Sequence, residues 1–206
     1  MTQPPGPSVL SENLAGAFGI IRGRAGGLGR IDLSQSGIIW SFSGLVLAGL
    51  VDLSALSVRY NQLSAMGLLE VDRFHYLAGN LIVSLIAYAA SLVALYLLCR
   101  APHERNRFAF AVAFHNWAAP IVSLAFLPLY FLGMAMDGQT GSGERISILD
   151  LISVFWLGLL IVIALRILRI SLDIPMGRAI VLFVLTTAVS IISSQGLQSL
   201  LGLTGS

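Results

Sequence analysis

Five long stretches of the chain carry few or no charged residues, and each is long enough to cross a membrane as a helix. They run over 38–58, 76–98, 110–132, 146–168 and 179–201. A helix needs about 20 mostly apolar residues to cross the hydrocarbon core of a bilayer. The pattern therefore predicts an all-α fold, a polytopic transmembrane helical bundle with five spans.

The third stretch is unusual because polar residues and prolines occur inside it. No Asp, Glu, Lys or Arg lies within 108–136, but this stretch carries His115 and Asn116, followed by Pro120 and Pro128. Polar groups are costly in hydrocarbon unless they are paired, and each proline leaves a carbonyl one turn earlier without its donor. We expect neighbouring helices to meet these needs, so that the other spans pack around the third.

The segment 1–36 precedes the bundle of 37–206 and is predicted to be a cytoplasmic leader. Its apolar residues recur at spacings of four, four and three, which places them on one helical stripe. These residues are Leu10, Leu14, Phe18 and Ile21. Because Arg22 and Arg24 follow directly, the pattern is typical of a short amphipathic helix in the headgroup region.

The basic residues are divided unequally between the two sides of the predicted bundle. Three arginines lie in each of three segments on the amino-terminal side, nine in all, whereas Arg59, Arg73 and Arg145 lie on the other side. The positive-inside rule then puts the amino terminus in the cytoplasm and the carboxyl terminus outside. We expect a multi-pass protein of the cell inner membrane, in which arginines contact lipid headgroups. The candidates for this contact are Arg22, Arg24, Arg166 and Arg169.

The composition supports a membrane location and excludes two other classes. Of 206 residues, 56% are hydrophobic and 11% charged, and the mean hydropathy of +0.87 exceeds that of a soluble domain. The net charge of +2 comes from dispersed arginines, not from the dense basic face that nucleic acid requires. The single cysteine, Cys99, cannot form an intramolecular disulfide.

A few polar residues inside the spans form a candidate intramembrane site. Asp52, Asn80 and Gln195 fall in the outer halves of their spans, and His115 and Asn116 in the inner half of theirs. With a rise of 1.5 Å per residue, Asp52 lies about 6 Å from the midpoint of its span. An ionised carboxylate there costs several kcal/mol. It should therefore face the bundle interior, be protonated or face water, and the amides of Asn80 and Gln195 are its expected partners.

Two interpretations stay open for each part of this site. Asp52 either handles an ion or proton, or joins helices through a hydrogen bond. The triplet His115, Asn116 and Trp117 is either a ligand or protonation site, or a packing point. The same depth arithmetic separates Asp52 and His115 by roughly 15 Å, which disfavours a direct pair.

Catalytic and metal-binding signatures do not occur in the sequence. HExxH, GxSxG and Walker A motifs are missing, and His75, His103 and His115 lack the spacing of metal ligands. We therefore expect a protein that is not an enzyme and that needs no cofactor or metal.

Three local patterns resemble the Yip (Rab-interacting) superfamily of five-span membrane proteins, particularly its short bacterial members. They are 31–42, which leads into the first span, 115–117, which opens the third, and 165–175 between the last two. The resemblance implies the five-span architecture and a role in membrane organisation, with no catalytic residues. Rab binding does not carry over, because the Asp-Leu-Tyr-Gly-Pro segment of the eukaryotic branch is absent.

Two functions follow as hypotheses. The leading one is a non-enzymatic protein that scaffolds or organises membrane components, with the bilayer, other membrane proteins or a second copy as partners. The alternative is a small transporter or channel that uses a polar site around Asp52.

Overall fold

A computed structural model describes residues 6–69, 71–137 and 148–203, and within these ranges it contains helices and no strands. The helices are α1 (Pro7–Ile21), a short 3-10 helix (Ala25–Arg30), α2 (Gln35–Ala65), α3 (Arg73–Leu98), α4 (Pro102–Asp137), α5 (Ile148–Leu172) and α6 (Met176–Leu200). This confirms the predicted all-α fold.

Helices α2 to α6 are each long and apolar enough to cross a membrane, which confirms the predicted number of spans. Most of their ends differ from the prediction by a few residues, and the largest differences are that α2 continues to Ala65 and that α4 already begins at Pro102. Much of the segment between the first two predicted spans, 59–75, is therefore helical. Residues 138–145, which lie between the third and fourth predicted spans, are outside the described residues. The chain is a multi-pass integral membrane protein.

The helices form two groups that pack mainly within themselves. In the first, α2 lies parallel to α4, α5 lies antiparallel to α4, and α1 covers α4 and α5; we call this the α4 group. In the second, α3 and α6 lie antiparallel and form the α3/α6 pair. The cavities described below lie where the two groups meet.

The α3/α6 pair is joined by hydrogen bonds along most of its length. Near the middle of α6, the Ser91 hydroxyl shares its proton between the carbonyl of Ala87 at 2.8 Å and that of Thr186 at 3.4 Å. Towards the end of α6, the Gln198 amide donates to Oδ1 of Asn80, also at 3.4 Å. Beyond it, Nε2 of His75 lies 3.1 Å from the carbonyl of Leu201 at the end of α6.

Helix α4 is the most deeply buried of the five membrane-length helices, and its first proline explains how α2 packs on it. Pro120 has no N–H to donate, so the carbonyl of Asn116 one turn earlier lacks its helical partner. Gly44 of α2 lies directly against this carbonyl, and a Cβ on Gly44 would lie only 2.3 Å from the oxygen. A close Cα–H···O contact of this kind gives the carbonyl a weak donor. The expectation that a neighbouring helix covers a carbonyl freed by proline is confirmed at Pro120.

Helix α1 exists as predicted, but it packs into the bundle through a different face from the predicted stripe. Ala17 and Ile20 are 1% exposed and belong to one core cluster with Phe114 and Trp117 of α4. Phe18 of the predicted stripe is exposed, whereas Leu10, Leu14 and Ile21 are partly buried beside this core. The small residues on the buried face allow close approach, which is why α1 is part of the bundle's core.

A buried amide fixes the chain that follows α1. Asn13 is 2% exposed, and its Oδ1 accepts a hydrogen bond from the backbone N–H of Asp32 at 2.7 Å. Between these residues the 3-10 helix crosses α1 at two glycines, because a Cβ on Gly27 would lie 2.4 Å from the carbonyl oxygen of Gly16. The leader is thus bound to the bundle along most of its described length.

Most of the arginines gather where α1, α3 and α5 end and α4 and α6 begin; we call this the arginine-rich end. Glu104 is the acid at its centre. Its carboxylate accepts from Nε and Nη2 of Arg178 at 3.2 and 3.3 Å and from the backbone N–H of Arg100 at 3.0 Å. Arg178 also donates to the carbonyl of Leu98 at 2.6 Å. These contacts join α3, α4 and α6 at this end.

Candidate functional site

Two adjoining cavities, of about 480 and 490 Å³, lie between the α4 group and the α3/α6 pair. Volumes of this size are typical of small-molecule sites. Ser84, Tyr88, His115 and Thr187 line both cavities. The two spaces therefore meet around the rings of Tyr88 and His115, near the middle of the bundle.

The first cavity follows the α3/α6 pair, and we call it the hydroxyl cavity. Polar residues line it at helical spacing on both helices, so that two polar stripes face each other. They are Ser84, Tyr88 and Ser91 on α3, and Thr186, Thr187, Ser190, Ser194 and Gln198 on α6. From Phe183 to Gln198 the lining extends about 22 Å along α6, a large part of the roughly 30 Å hydrocarbon thickness.

Several hydroxyl protons in this cavity are already used by the protein itself. Ser91 donates to the carbonyl of Ala87, and Thr186 donates to that of Leu182, both at 2.8 Å. Ser194 donates to the carbonyl of Ile191 at 3.0 Å. A hydroxyl has one proton but two lone pairs, so these groups offer the cavity mainly hydrogen-bond acceptors.

The second cavity contains Asp52, and we call it the Asp52 cavity. The Asp52 side chain is exposed to this space and is hydrogen-bonded to the side chain of Ser123 on α4. Among the described residues that line the two cavities, Asp52 is the one with a carboxylate, and none of them is a lysine or arginine. The site thus combines an accessible acid with mainly apolar walls.

The predicted pairing of Asp52 with Asn80 and Gln195 does not occur among the described residues. The Asn80 amide donates to the carbonyl of Tyr76 at 2.8 Å, and its oxygen accepts from Gln198. Gln195 is exposed and lines neither cavity. The reason is the helix arrangement: α3 packs on α6, so Asn80 meets α6, whereas Asp52 on α2 meets α4.

Asp52 and His115 line one cavity but lie at different levels. Asp52 is level with Ser123, which is eight residues from His115, so the two are about 12 Å apart along α4. His115 stacks on Tyr88, with ring centroids 5.4 Å apart and an angle of 18° between the planes. His115 therefore presents an aromatic face to the cavity, while Asp52 presents charge farther along.

Asn116 joins three helices through buried hydrogen bonds. Its side chain is fully buried; Oδ1 accepts from the Tyr88 hydroxyl at 2.5 Å, and Nδ2 donates to the Ser41 hydroxyl at 2.9 Å. The Ser41 hydroxyl in turn donates a hydrogen bond to the carbonyl of Ile38 at 2.6 Å. Asn116 is thus a packing residue that fixes Tyr88, while its neighbour His115 faces the cavity.

Trp117 fills the junction of α1, α2 and α4. It is fully buried in the core cluster that includes α1, and its ring lies next to Gly44. Its indole N–H meets no acceptor among the described residues, so the side chain acts here through its shape. For Asn116 and Trp117 the structure favours the packing interpretation of the triplet.

The four arginines assigned to lipid headgroups have different environments. Arg166 binds the end of α1, because its Nη1 donates to the carbonyl of Ile21 at 2.7 Å. Arg22 lies over the ring of Phe18 at 4.3 Å and is exposed, as are Arg24 and Arg169. Headgroup contact stays a prediction for all four arginines, and Arg166 in addition holds α1 on α5.

Metal and thiol chemistry have little support in the described part of the chain. No group of three or more His, Cys, Asp or Glu residues there could hold a metal ion. Cys99, just beyond α3, is fully buried. Burial raises the pKa of its thiol, so Cys99 is a neutral packing group near neutral pH.

The sequence predictions missed the polar stripe on α3 and the facing stripe on α6. The signal was present, since Asn80, Ser84, Tyr88 and Ser91 recur at spacings of four, four and three within an apolar span. Such spacing places the residues on one helical face. Depth in the membrane ranks single residues, and so it does not reveal a face that several weakly polar residues share.

Comparison with known proteins leaves the family open. No family model matches the chain, and no curated protein and no solved structure matches it either. The resemblance to the Yip superfamily stays a prediction, and what the findings establish is a multi-pass integral membrane protein.

Proposed function

We propose that the protein binds a small molecule in the cavities between the α4 group and the α3/α6 pair and carries it across the membrane. The observation that supports this most directly is the accessible carboxylate of Asp52 in an apolar cavity. Placing a charged side chain within a membrane-spanning helix costs free energy, and intramembrane acids commonly mark ion or substrate pathways. A purely structural acid would instead be sealed by hydrogen bonds.

The extent of the cavities also supports transport. The polar stripes of the hydroxyl cavity and the Asp52 cavity meet at Tyr88 and His115. A solute could therefore exchange hydrogen bonds stepwise along the bundle and would not need to cross bare hydrocarbon. The scaffolding function predicted from the sequence stays the competing hypothesis, since it requires no cavity.

A liposome flux assay with a cavity-filling variant tests the proposal. Purified protein is reconstituted, and entry of a neutral polyol, an organic amine and an organic acid is compared with entry into empty liposomes. We expect at least one solute to enter faster, and Thr187→Trp, which fills the junction of the cavities, to abolish this entry.

Leu185→Trp is the matched control, because Leu185 lies on the same helix, is exposed and lines neither cavity. It should retain transport at the wild-type rate. If no solute enters, or if both tryptophan variants behave alike, the transport proposal fails and scaffolding becomes the better account.

We further propose that the protein lies in the cell inner membrane with its amino terminus in the cytoplasm. The distribution of arginines supports this orientation through the positive-inside rule. A reporter fused after Ser206 that is active only outside the cytoplasm tests it. A carboxyl-terminal reporter found in the cytosol would contradict the orientation.

A further inference from the structure

We infer that the cavities select a small organic cation, a protonated amine on an apolar body, with Asp52 as its counter-charge. This inference rests on the proposed function and names the class of solute. It follows from three properties of the cavity wall: its charge, its hydrogen-bonding capacity and its aromatic surface.

The charge of the wall favours a cation. Asp52 is the carboxylate among the described lining residues, and the lining includes no lysine or arginine that could neutralise it. At the arginine-rich end, by contrast, the buried acid Glu104 is already paired with Arg178. In a mainly apolar space, the field of one carboxylate is weakly screened, and it attracts a cation while it disfavours an anion.

The hydrogen-bonding capacity of the wall favours a donor. The hydroxyls of Ser91, Thr186 and Ser194 use their protons on backbone carbonyls of α3 and α6. The Tyr88 hydroxyl uses its proton on Asn116. These four hydroxyls therefore offer the cavity lone pairs, which match the N–H donors of an ammonium group.

The aromatic surface favours an apolar body next to the charge. The stacked rings of Tyr88 and His115 lie where the two cavities meet, and Phe183 also lines both. Aromatic rings can attract a cation through their faces and can cover an apolar group. With the headgroup at Asp52, an apolar tail would reach these rings about 12 Å farther along the bundle.

Three ligands of the same shape and different charge test the inference. We choose 4-phenylbutylamine, 4-phenylbutanol and 4-phenylbutyrate, which are a cation, a neutral molecule and an anion at pH 7. Their binding to the protein in nanodiscs of phosphatidylcholine is measured by calorimetry, with empty nanodiscs subtracted. We expect the amine to bind at least tenfold more tightly than the alcohol, because hydrogen bonds to a charged acceptor are the stronger ones, and we expect the acid to bind most weakly.

Variants at Asp52 test whether its carboxylate causes the tighter binding of the amine. Asp52→Asn should reduce the affinity of the amine about tenfold and remove its advantage over the alcohol, whereas Asp52→Glu should retain that advantage. Asp173→Asn is the control, because Asp173 is an exposed acid at the arginine-rich end that lines neither cavity. The preference for the amine should survive this change.

The outcomes separate this inference from the proposed function. If the alcohol binds as tightly as the amine, or if Asp52→Asn retains the preference, the cation inference is wrong and binding in the cavity still stands. If none of the three ligands binds, the inference is also overturned, while the flux assay independently decides the transport proposal.

Discussion

Gly44 offers a sharp test of how α2 and α4 pack. A Cβ at this position would lie 2.3 Å from the carbonyl oxygen of Asn116, 3.0 Å from its carbonyl carbon and 3.4 Å from the ring of Trp117. Comfortable contacts of carbon atoms are roughly 3.5–4.0 Å. The nearest atoms belong to the backbone of a buried helix and cannot rotate away. Gly44→Ala must therefore push α2 and α4 apart.

We expect Gly44→Ala to lower the free energy of unfolding by about 1–3 kcal/mol, the usual cost of overpacking a well-packed core. Gly49→Ala is the matched control in the same helix, since a Cβ on Gly49 meets nothing within 4 Å. In a helix interior this change is neutral or stabilises by up to about 1 kcal/mol. Unfolding by SDS in mixed micelles, followed by tryptophan fluorescence, measures both variants.

The freed carbonyl of Asn116 makes a double-mutant cycle informative. Pro120→Ala restores an N–H donor to α4, so that the carbonyl can turn back towards its own helix and away from Gly44. The loss of unfolding free energy caused by Gly44→Ala should then be smaller by at least about 0.5 kcal/mol, the lower end of the coupling energies found for residues in contact. Equal stability of Gly44→Ala and Gly49→Ala, or strict additivity with Pro120→Ala, would refute the reasoning.

Three further changes test other contacts. Asn116→Ala should lower the free energy of unfolding by about 1–3 kcal/mol, because it leaves the hydroxyls of Tyr88 and Ser41 without their buried partner, whereas Tyr88→Phe should lower it by about 0.5–1.5 kcal/mol. Unfolding by SDS measures both variants, and the reverse ranking would contradict this. Arg178→Met should lower the free energy of unfolding by about 2–3 kcal/mol, which is below the usual range for a buried pair because Arg178 is partly exposed. Adding Glu104→Gln should recover most of this stability, because it removes the unpaired charge of Glu104. If the double variant recovers none, the loss does not come from that charge. Ile20→Asp should release α1 from the core, so that trypsin cleaves the chain after α1 faster while the rest of the bundle stays resistant. Unchanged cleavage would show that contacts other than that of Ile20 hold α1 on the bundle.

The number of spans could be predicted because the bilayer sets the length of an apolar helix, whatever its neighbours are. The packing of α1 could not, because hydrophobic periodicity weighs large side chains. Its stripe includes Phe18, which is exposed, whereas the buried face consists largely of Asn13, Gly16, Ala17 and Ile20. Small residues are buried here because they permit close approach, a property that hydropathy does not measure.

The candidate site was predicted in part. Asp52 and His115, both singled out from the sequence, line the cavities. Their partners were not predictable, because depth along a span does not reveal which helices are neighbours. Asn80 and Asp52 lie at similar predicted depths, yet α3 packs on α6, so Asn80 binds Gln198.

The contacts at the two ends of the cavities are unequal, which bears on how a carrier of this kind would open. At the arginine-rich end, the buried Glu104 holds α3, α4 and α6 through Arg178 and the backbone of Arg100. At the opposite end, an exposed hydrogen bond from Arg73 to Ser57 joins α3 to α2, and an apolar cluster around the buried Tyr76 packs α2, α3 and the end of α6 together. An exposed contact contributes little, whereas a buried ion pair is costly to break. Asp52 lies about 8 Å along α2 from Ser57, so under the proposed function a solute that reaches the carboxylate from this end has to separate the apolar cluster around Tyr76, while the buried ion pair at the other end stays intact.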